Sequence, residues 1–89
     1  MLVKIDRSFE KDIRKITDKN TLKRVASVIR QVQKADNLSE IKNLKKLSVA
    51  DNEYRIRIGS YRIGVIISDE IIEFVRCLHR KDIYKYFPK

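Results

Sequence analysis

The sequence predicts a small α+β fold: a helical hairpin packed on one face of a twisted, mostly antiparallel sheet. The element order is β-α-α-β-β-β, with a short helix at the C-terminal end. Three observations predict it. Two apolar stripes at helical spacing follow each other within residues 8–34. From Glu53 the apolar period shortens to 2. Turn-forming breaks at Gly59-Ser60 and Ser68-Asp69-Glu70 then cut the second half into strand-length pieces.

Residues 1–6, MLVKID, set Leu2, Val3 and Ile5 around Lys4 and read as a short first strand. Ser8 is the expected cap of the first helix, with Glu10 and Asp12 in its first turn complementing the helix dipole. Phe9, Ile13 and Ile16 fall at i, i+4 and i+7 and make one apolar stripe on a helix of about residues 8–18. Asp18-Lys19-Asn20 breaks that helix, and Asn20 is the expected cap of the next. Leu22, Val25, Ala26, Ile29 and Val32 mark the apolar face of this second helix. Lys23, Arg24, Arg30 and Lys34 line its other side, as solvated charge or as contacts to RNA. Residues 35–43, ADNLSEIKN, have the polarity of a connection. Leu44 to Val49 read either as a strand or as the approach to one.

In residues 53–58, Tyr54, Ile56 and Ile58 point one way and Arg55 and Arg57 the other. Gly59-Ser60 fits a two-residue hairpin, because glycine tolerates the positive φ such turns need. Tyr61, Ile63, Val65 and Ile67 then alternate with Arg62, Gly64, Ile66 and Ser68. IIEFVRCLHR, residues 71–80, is apolar on both faces, as expected of a central strand covered on both sides. Strict alternation puts its Arg76, Leu78 and Arg80 on the face of Ile72 and Phe74. Lys81 to Phe87 reads as a short helix or turn, ended by Pro88.

Residues 1–89 read as one domain, with 43% hydrophobic and 37% charged residues. The net charge of +9 favours a polyanionic partner (nucleic acid, an acidic protein segment or, third, an anionic membrane) over a merely soluble basic surface. The lone Cys77 excludes an internal disulfide and a cysteine-based zinc site, and reads as a small buried hydrophobe. No stretch approaches the roughly 18 apolar residues of a membrane span, and MLVKIDRSFEKD lacks the core of a signal peptide. A cytoplasmic protein without a membrane partner is therefore expected.

No Gly-rich phosphate loop, paired histidines, nucleophilic triad or metal-ligand cluster is visible. What remains is arginine, lysine, tyrosine and the single His79. Three neighbouring strands can bring Arg55, Arg57, Arg62, Arg76 and Arg80 together, since directly opposed side chains lie about 4.5–5.5 Å apart at Cβ. Guanidinium groups match phosphate oxygens and can stabilise the charge of a pentacoordinate transition state. RNA supplies its own nucleophile in the 2′-OH. A tyrosine among cations is a plausible base, and it can also stack on a nucleobase.

The ordered set YRIRIGSYRIGV and FVRCLHRKDIYKYF, on this element order, resembles the RelE/ParE toxins of type II toxin–antitoxin systems. The resemblance spans nearly the whole chain and is strongest over residues 44–87. It implies either a RelE-type, ribosome-dependent mRNA endonuclease or a ParE-type inhibitor of DNA gyrase without nuclease activity. Carried over by position, the RelE-type catalytic set is Arg57, Arg62, Arg80 and Tyr84, which favours the endonuclease. Arg55, Lys45, Lys46, Lys81 and Tyr86 become candidate RNA contacts, with Tyr86 the rival to Tyr84 as functional tyrosine. Some RelE enzymes have lysine at the positions of Arg55 and Arg57. Arginine stays protonated, so neither residue can act as a base here, and that role passes to Tyr84 or to water. Arg76 is expected at a strand edge or against an antitoxin, His79 in a structural role, and Tyr54 and Tyr61 in the core. The implied partners are an acidic antitoxin, in a heteromeric complex, and the ribosome with its mRNA. No cofactor and no metal are implied.

Overall fold

The computed structural model describes residues 1–47 and 52–88. Strand β1 (Leu2–Ile5) leads into helices α1 (Arg7–Arg14) and α2 (Lys19–Lys34). A 3-10 turn (Leu38–Glu40) connects them to β2 (Leu44–Lys46), β3 (Glu53–Ile58), β4 (Tyr61–Ser68), β5 (Ile71–His79) and the short α3 (Ile83–Tyr86). The five strands lie in the order β1-β5-β4-β3-β2, with β1 parallel to β5 and every other pair antiparallel. The helical hairpin thus carries the chain from one edge of the sheet to the other, and a meander brings it back.

One apolar layer holds the helices on the sheet. Phe9, Ile16, Val25 and Val32 meet Ile56, Ile58, Ile63, Val65, Ile67, Ile72, Phe74 and Cys77, all buried. Phe9 and Phe74 cross edge to face, with centroids 5.4 Å apart. Tyr54 and Tyr61 pack partly buried against this layer, on the side the alternation predicts. Within α2, Ala26 is exposed and Val28 packs in its place on the apolar side. Among the described residues no helix is long and apolar enough to cross a membrane.

The helix starts differ from expectation by one or two residues. Asp6, not Ser8, caps α1 by accepting from Ser8 N at 3.0 Å. Asp18, not Asn20, caps α2, accepting from Asn20 N at 3.2 Å and Thr21 Oγ1 at 2.7 Å. In each case an aspartate sits at the last extended residue, where its carboxylate reaches the free N–H groups of the first turn. Helix α1 is also shorter than the apolar stripe, ending at Arg14. The strand or approach at Leu44–Val49 resolves into β2, three residues long; Ser48 and Val49 lie outside the described residues.

Strand β5 departs most from strict alternation. Gly64 pairs with Arg76 but its neighbour Val65 pairs with Phe74, so Val75 is an extra residue, a β-bulge. The bulge resets the alternation, so Ile72, Phe74 and Cys77 are all buried in the core. Arg76, Leu78 and Arg80 therefore do not share a face with Ile72 and Phe74. Strand β1 covers β5 only as far as Phe74. Beyond it, α1 closes the exposed edge with side chains: Ser8 Oγ donates to Val75 O at 2.7 Å, and Asp12 Oδ2 accepts from Cys77 N at 2.9 Å.

Candidate functional site

The period of the strands puts arginines on the sheet face turned away from α1 and α2. Ile56 and Ile58 are buried in the core, so Arg55 and Arg57 point outward on β3. Ile63 and Val65 are likewise buried, so Arg62 and Gly64 point outward on β4. The register makes Arg57 and Arg62 direct partners and sets Arg55 opposite Gly64. Arg80 follows β5, and its N–H donates to Ser60 O at 2.8 Å, which returns it to the hairpin turn beside Arg62.

Glycine at the first central position of that turn has φ 61°, a conformation L residues adopt at a cost. Arg62 holds the turn by donating from Nη1 to Gly59 O at 2.8 Å and Tyr61 O at 2.9 Å. Its own pKa is lowered, by burial first and then by the positive charge of Arg55. Arg57 and Arg80 act in the same direction, while Tyr84 opposes them. Four arginines and a tyrosine thus share one electrostatic neighbourhood. Arg55 donates from Nη1 to Asn43 O at 2.7 Å. The side chains of Arg57 and Arg80 make no hydrogen bond or ion pair to another described residue, which leaves their donors open to a ligand.

Tyr84 reaches this face through α3, and α3 is docked by a close approach at Gly64. Phe87, only 3% exposed, sits so near that a Cβ on Gly64 would lie 2.5 Å from its Cδ2. Ile83 is buried as a second anchor. Tyr84 itself stays 57% exposed. Tyr86, two residues on and about 200° further round the helix, turns elsewhere; its ring centroid lies 5.1 Å from Arg76 Cζ. The two candidate tyrosines therefore serve different arginines.

Arg76 stands apart from the cluster. It donates from Nε to Asp12 Oδ2 at 2.8 Å and from Nη2 to Asp12 Oδ1 at 3.1 Å. The hydrogen bond to Asp12 raises its pKa, against the lowering by burial. His79 faces the helices, edge-on to Tyr61 at 5.8 Å, and its Nδ1 accepts from Lys81 N at 3.2 Å. Lys45 lies opposite Arg55 and extends the basic face to the sheet edge. Lys46 lies on the other face, its Nζ 5.8 Å from the Tyr54 ring centroid. Lys81 is exposed next to Arg80.

The positioning roles of Gly64 and Phe87 escaped the sequence reading, as did the hold of Asp12 on Arg76. Gly64 carried a signal, since a lone glycine inside a strand marks a close approach of another group. Among the described residues no three His, Cys, Asp or Glu side chains group in a way that could hold a metal ion. The face presents guanidinium forks and a phenol, groups able to bind a phosphate, neutralise added charge and move a proton.

Comparison with known proteins gives a consistent result. The family model described as the ParE toxin of the type II toxin–antitoxin system parDE matches residues 3–84. The chain is 39% identical over 89 residues to Toxin RelE3 of Methanocaldococcus jannaschii, covering 99% of this chain and 100% of that one. It is similar to a chain of the RelB–RelE antitoxin–toxin complex from Methanococcus jannaschii, with TM-score 0.80 and 37% identity over 96% and 99% of the two chains. A chain of the archaeal RelE–RelB complex from Pyrococcus horikoshii OT3 shares the fold with TM-score 0.72 at 23% identity, covering 89% and 93%.

Proposed function

Because this chain belongs to the RelE/ParE family of toxins from type II toxin–antitoxin systems, we propose that it is an endoribonuclease that cuts mRNA on the ribosome. The observation that carries this reading is the gathering of Arg55, Arg57, Arg62 and Arg80 with Tyr84 on one sheet face. Arg57, Arg62 and Arg80 hold the scissile phosphate and neutralise the charge that builds on its oxygens. Tyr84 orients the adjacent 2′-OH and relays its proton as the O2′–P bond forms, the phenol oxygen accepting it while the phenol O–H passes its own to water. The P–O5′ bond breaks opposite it; Arg80 donates a hydrogen bond to the leaving oxygen, and water supplies the proton that makes it a hydroxyl. The products are a 2′,3′-cyclic phosphate and a 5′-OH, and the internal nucleophile lets the reaction run without a metal. Arg55 and Lys45 hold the flanking strand.

An acidic antitoxin is the matching partner, since the arginines of the face form no ion pair among the described residues and the archaeal relatives are toxins in complexes with RelB. In a heteromeric complex it covers the arginines and excludes the message.

The test is to map 5′ ends after incubating the purified protein with ribosomes and mRNA. New 5′-OH ends that vanish with Arg80→Ala are expected. Intact message, together with equal growth of cells expressing wild type and Arg80→Ala, overturns the reading. The ParE description of the matching family model favours a second reading, gyrase inhibition without cleavage. Pulse-labelling separates the two: the nuclease halts protein synthesis first, whereas the gyrase inhibitor halts DNA synthesis and alters supercoiling.

A further inference from the structure

Beside the arginine face, a cleft of about 260 Å3 lies between α2 and the edge formed by β2 and β3. Arg24, Ser27 and Gln31 line it from one side of α2, Lys42 and Asn43 from the turn before β2, and Arg57 from β3. Three cations from three elements thus line one space, and among the described residues no carboxylate lines it. Arg24, Lys42 and Arg57 form no ion pair among the described residues. The remaining polar lining consists of a hydroxyl and amides, which are able to donate hydrogen bonds.

The walls of the cleft are fixed. Asn43, at φ 64°, turns its carbonyl to accept from Arg57 N at 3.2 Å and Arg55 Nη1 at 2.7 Å, which ties the turn carrying Lys42 to β3. Arg24 packs against the hairpin turn, its Nη1 2.7 Å from where a Cβ on Gly59 would stand. Gly59 is therefore flanked by two guanidiniums, Arg24 against its Cα and Arg62 on its carbonyl. Arg57 belongs both to this cleft and to the outward face, so the two sites are contiguous.

Three like charges held around one space repel one another, and an anion between them reverses the sign of that interaction. Continuity through Arg57 with the face that takes one phosphate selects an anion that repeats along a chain. We propose that this cleft is a second phosphodiester site, taking an RNA backbone phosphate beyond the one at the arginine face. The proposal rests on the RNA-directed reading of that face. The phosphate belongs either to the strand being cut or to folded ribosomal RNA beside it.

The test is binding of the full chain, by fluorescence anisotropy over a series of KCl concentrations, in two arms. One probe is a fluorescein-labelled 2′-O-methyl RNA hexamer, and the other is purified small ribosomal subunits. The methylated hexamer has no 2′-OH nucleophile, so binding reads out whether or not the protein cleaves RNA. Arg24→Ala and Lys42→Ala, both at exposed positions, are each expected to lower the slope of log K against log salt by about 0.7. Lys11→Ala on α1, of equal charge change, leaves it unaltered. A change confined to the hexamer assigns the phosphate to the strand, and one confined to the subunits assigns it to folded RNA. Slopes unaltered in both arms, or lowered equally by Lys11→Ala, overturn the proposal.

Discussion

Arg57 and Arg62 face each other directly across the β3–β4 pair, two permanent positive charges in a register position where opposite charges would normally stabilise a sheet. Directly opposed like charges destabilise by a fraction of a kcal/mol. Arg57→Gln is therefore expected to raise the stability of the free protein by about 0.2–1 kcal/mol while removing cleavage. Thermal unfolding with and without added phosphate checks this. The gain disappears when phosphate screens the pair in the wild type, and a variant no more stable than wild type at low salt contradicts it.

Gly64 and Phe87 set the position of Tyr84. Gly64→Ala places a methyl where the Phe87 ring lies and so displaces α3. Cleavage is expected to fall at least about tenfold, equivalent to about 1.4 kcal/mol in the barrier. The pair must act as one unit: Gly64→Ala added to Phe87→Ala causes little further loss. Additive losses would show that the glycine matters for another reason.

Tyr84 and Tyr86 separate by their partners. Tyr84→Phe removes the hydroxyl near Arg62 and is expected to slow cleavage by about 10²-fold or more, as for loss of a proton-transfer group. Tyr86→Phe keeps the ring over Arg76 and leaves the cleavage rate near wild type. Single-turnover rates on ribosome-bound message check both, and reversed effects would exchange the roles.

Asp12 accepts from the Arg76 guanidinium and from Cys77 N, on the edge of β5 beyond Phe74 that β1 does not reach. Removing Asp12 leaves the part-buried Arg76 guanidinium and the buried Cys77 N without their acceptor, so Asp12→Ala is expected to cost about 1–3 kcal/mol. Adding Arg76→Met recovers part of that loss. Urea unfolding of the single and double variants measures both.

Burial pushes the Cys77 thiol up from its ordinary value of 9.0 to about 12. In the unfolded chain the same thiol loses its proton near the ordinary value. The folded state thus binds the extra proton between pH 9 and about 12, and this contribution to stability is full below 9 and lost as pH rises through that window. Cys77→Ala is expected to flatten the alkaline limb of the stability profile. Iodoacetamide should label wild type at pH 9 only on unfolding, and rapid labelling of the folded protein would refute the burial argument.

The strands from Glu53 to Ser68 and both helices were legible because their apolar periods, 2 and 3.6, run unbroken through enough residues to be counted. Arg55, Arg57 and Arg62 followed from that alternation. Strand β2 was ambiguous because three residues are too few to establish a period. The bulge at Val75 was hidden because IIEFVRCLHR is apolar on both faces, so a shift by one residue leaves no mark in the pattern. Arg24 reads as solvated charge or as an RNA contact, and Lys42 only as part of a polar connection, since nothing local on a helix surface or in a turn says which distant strand it will adjoin. The contact between Phe87 and Gly64 joins residues far apart in the chain, and only the isolated glycine hinted at it.

The seat of Phe87 on Gly64 also orders events in time. Every arginine of the outward face precedes residue 81, whereas Tyr84 and its anchors Ile83 and Phe87 come last among these parts. A chain growing from its N-terminus can pair its strands and gather its arginines while the tyrosine is still unmade or threaded through the ribosome. The face is complete only once Phe87 is free to close over the glycine. During its own synthesis the molecule can thus hold a cluster of positive charge before the phenol stands beside it.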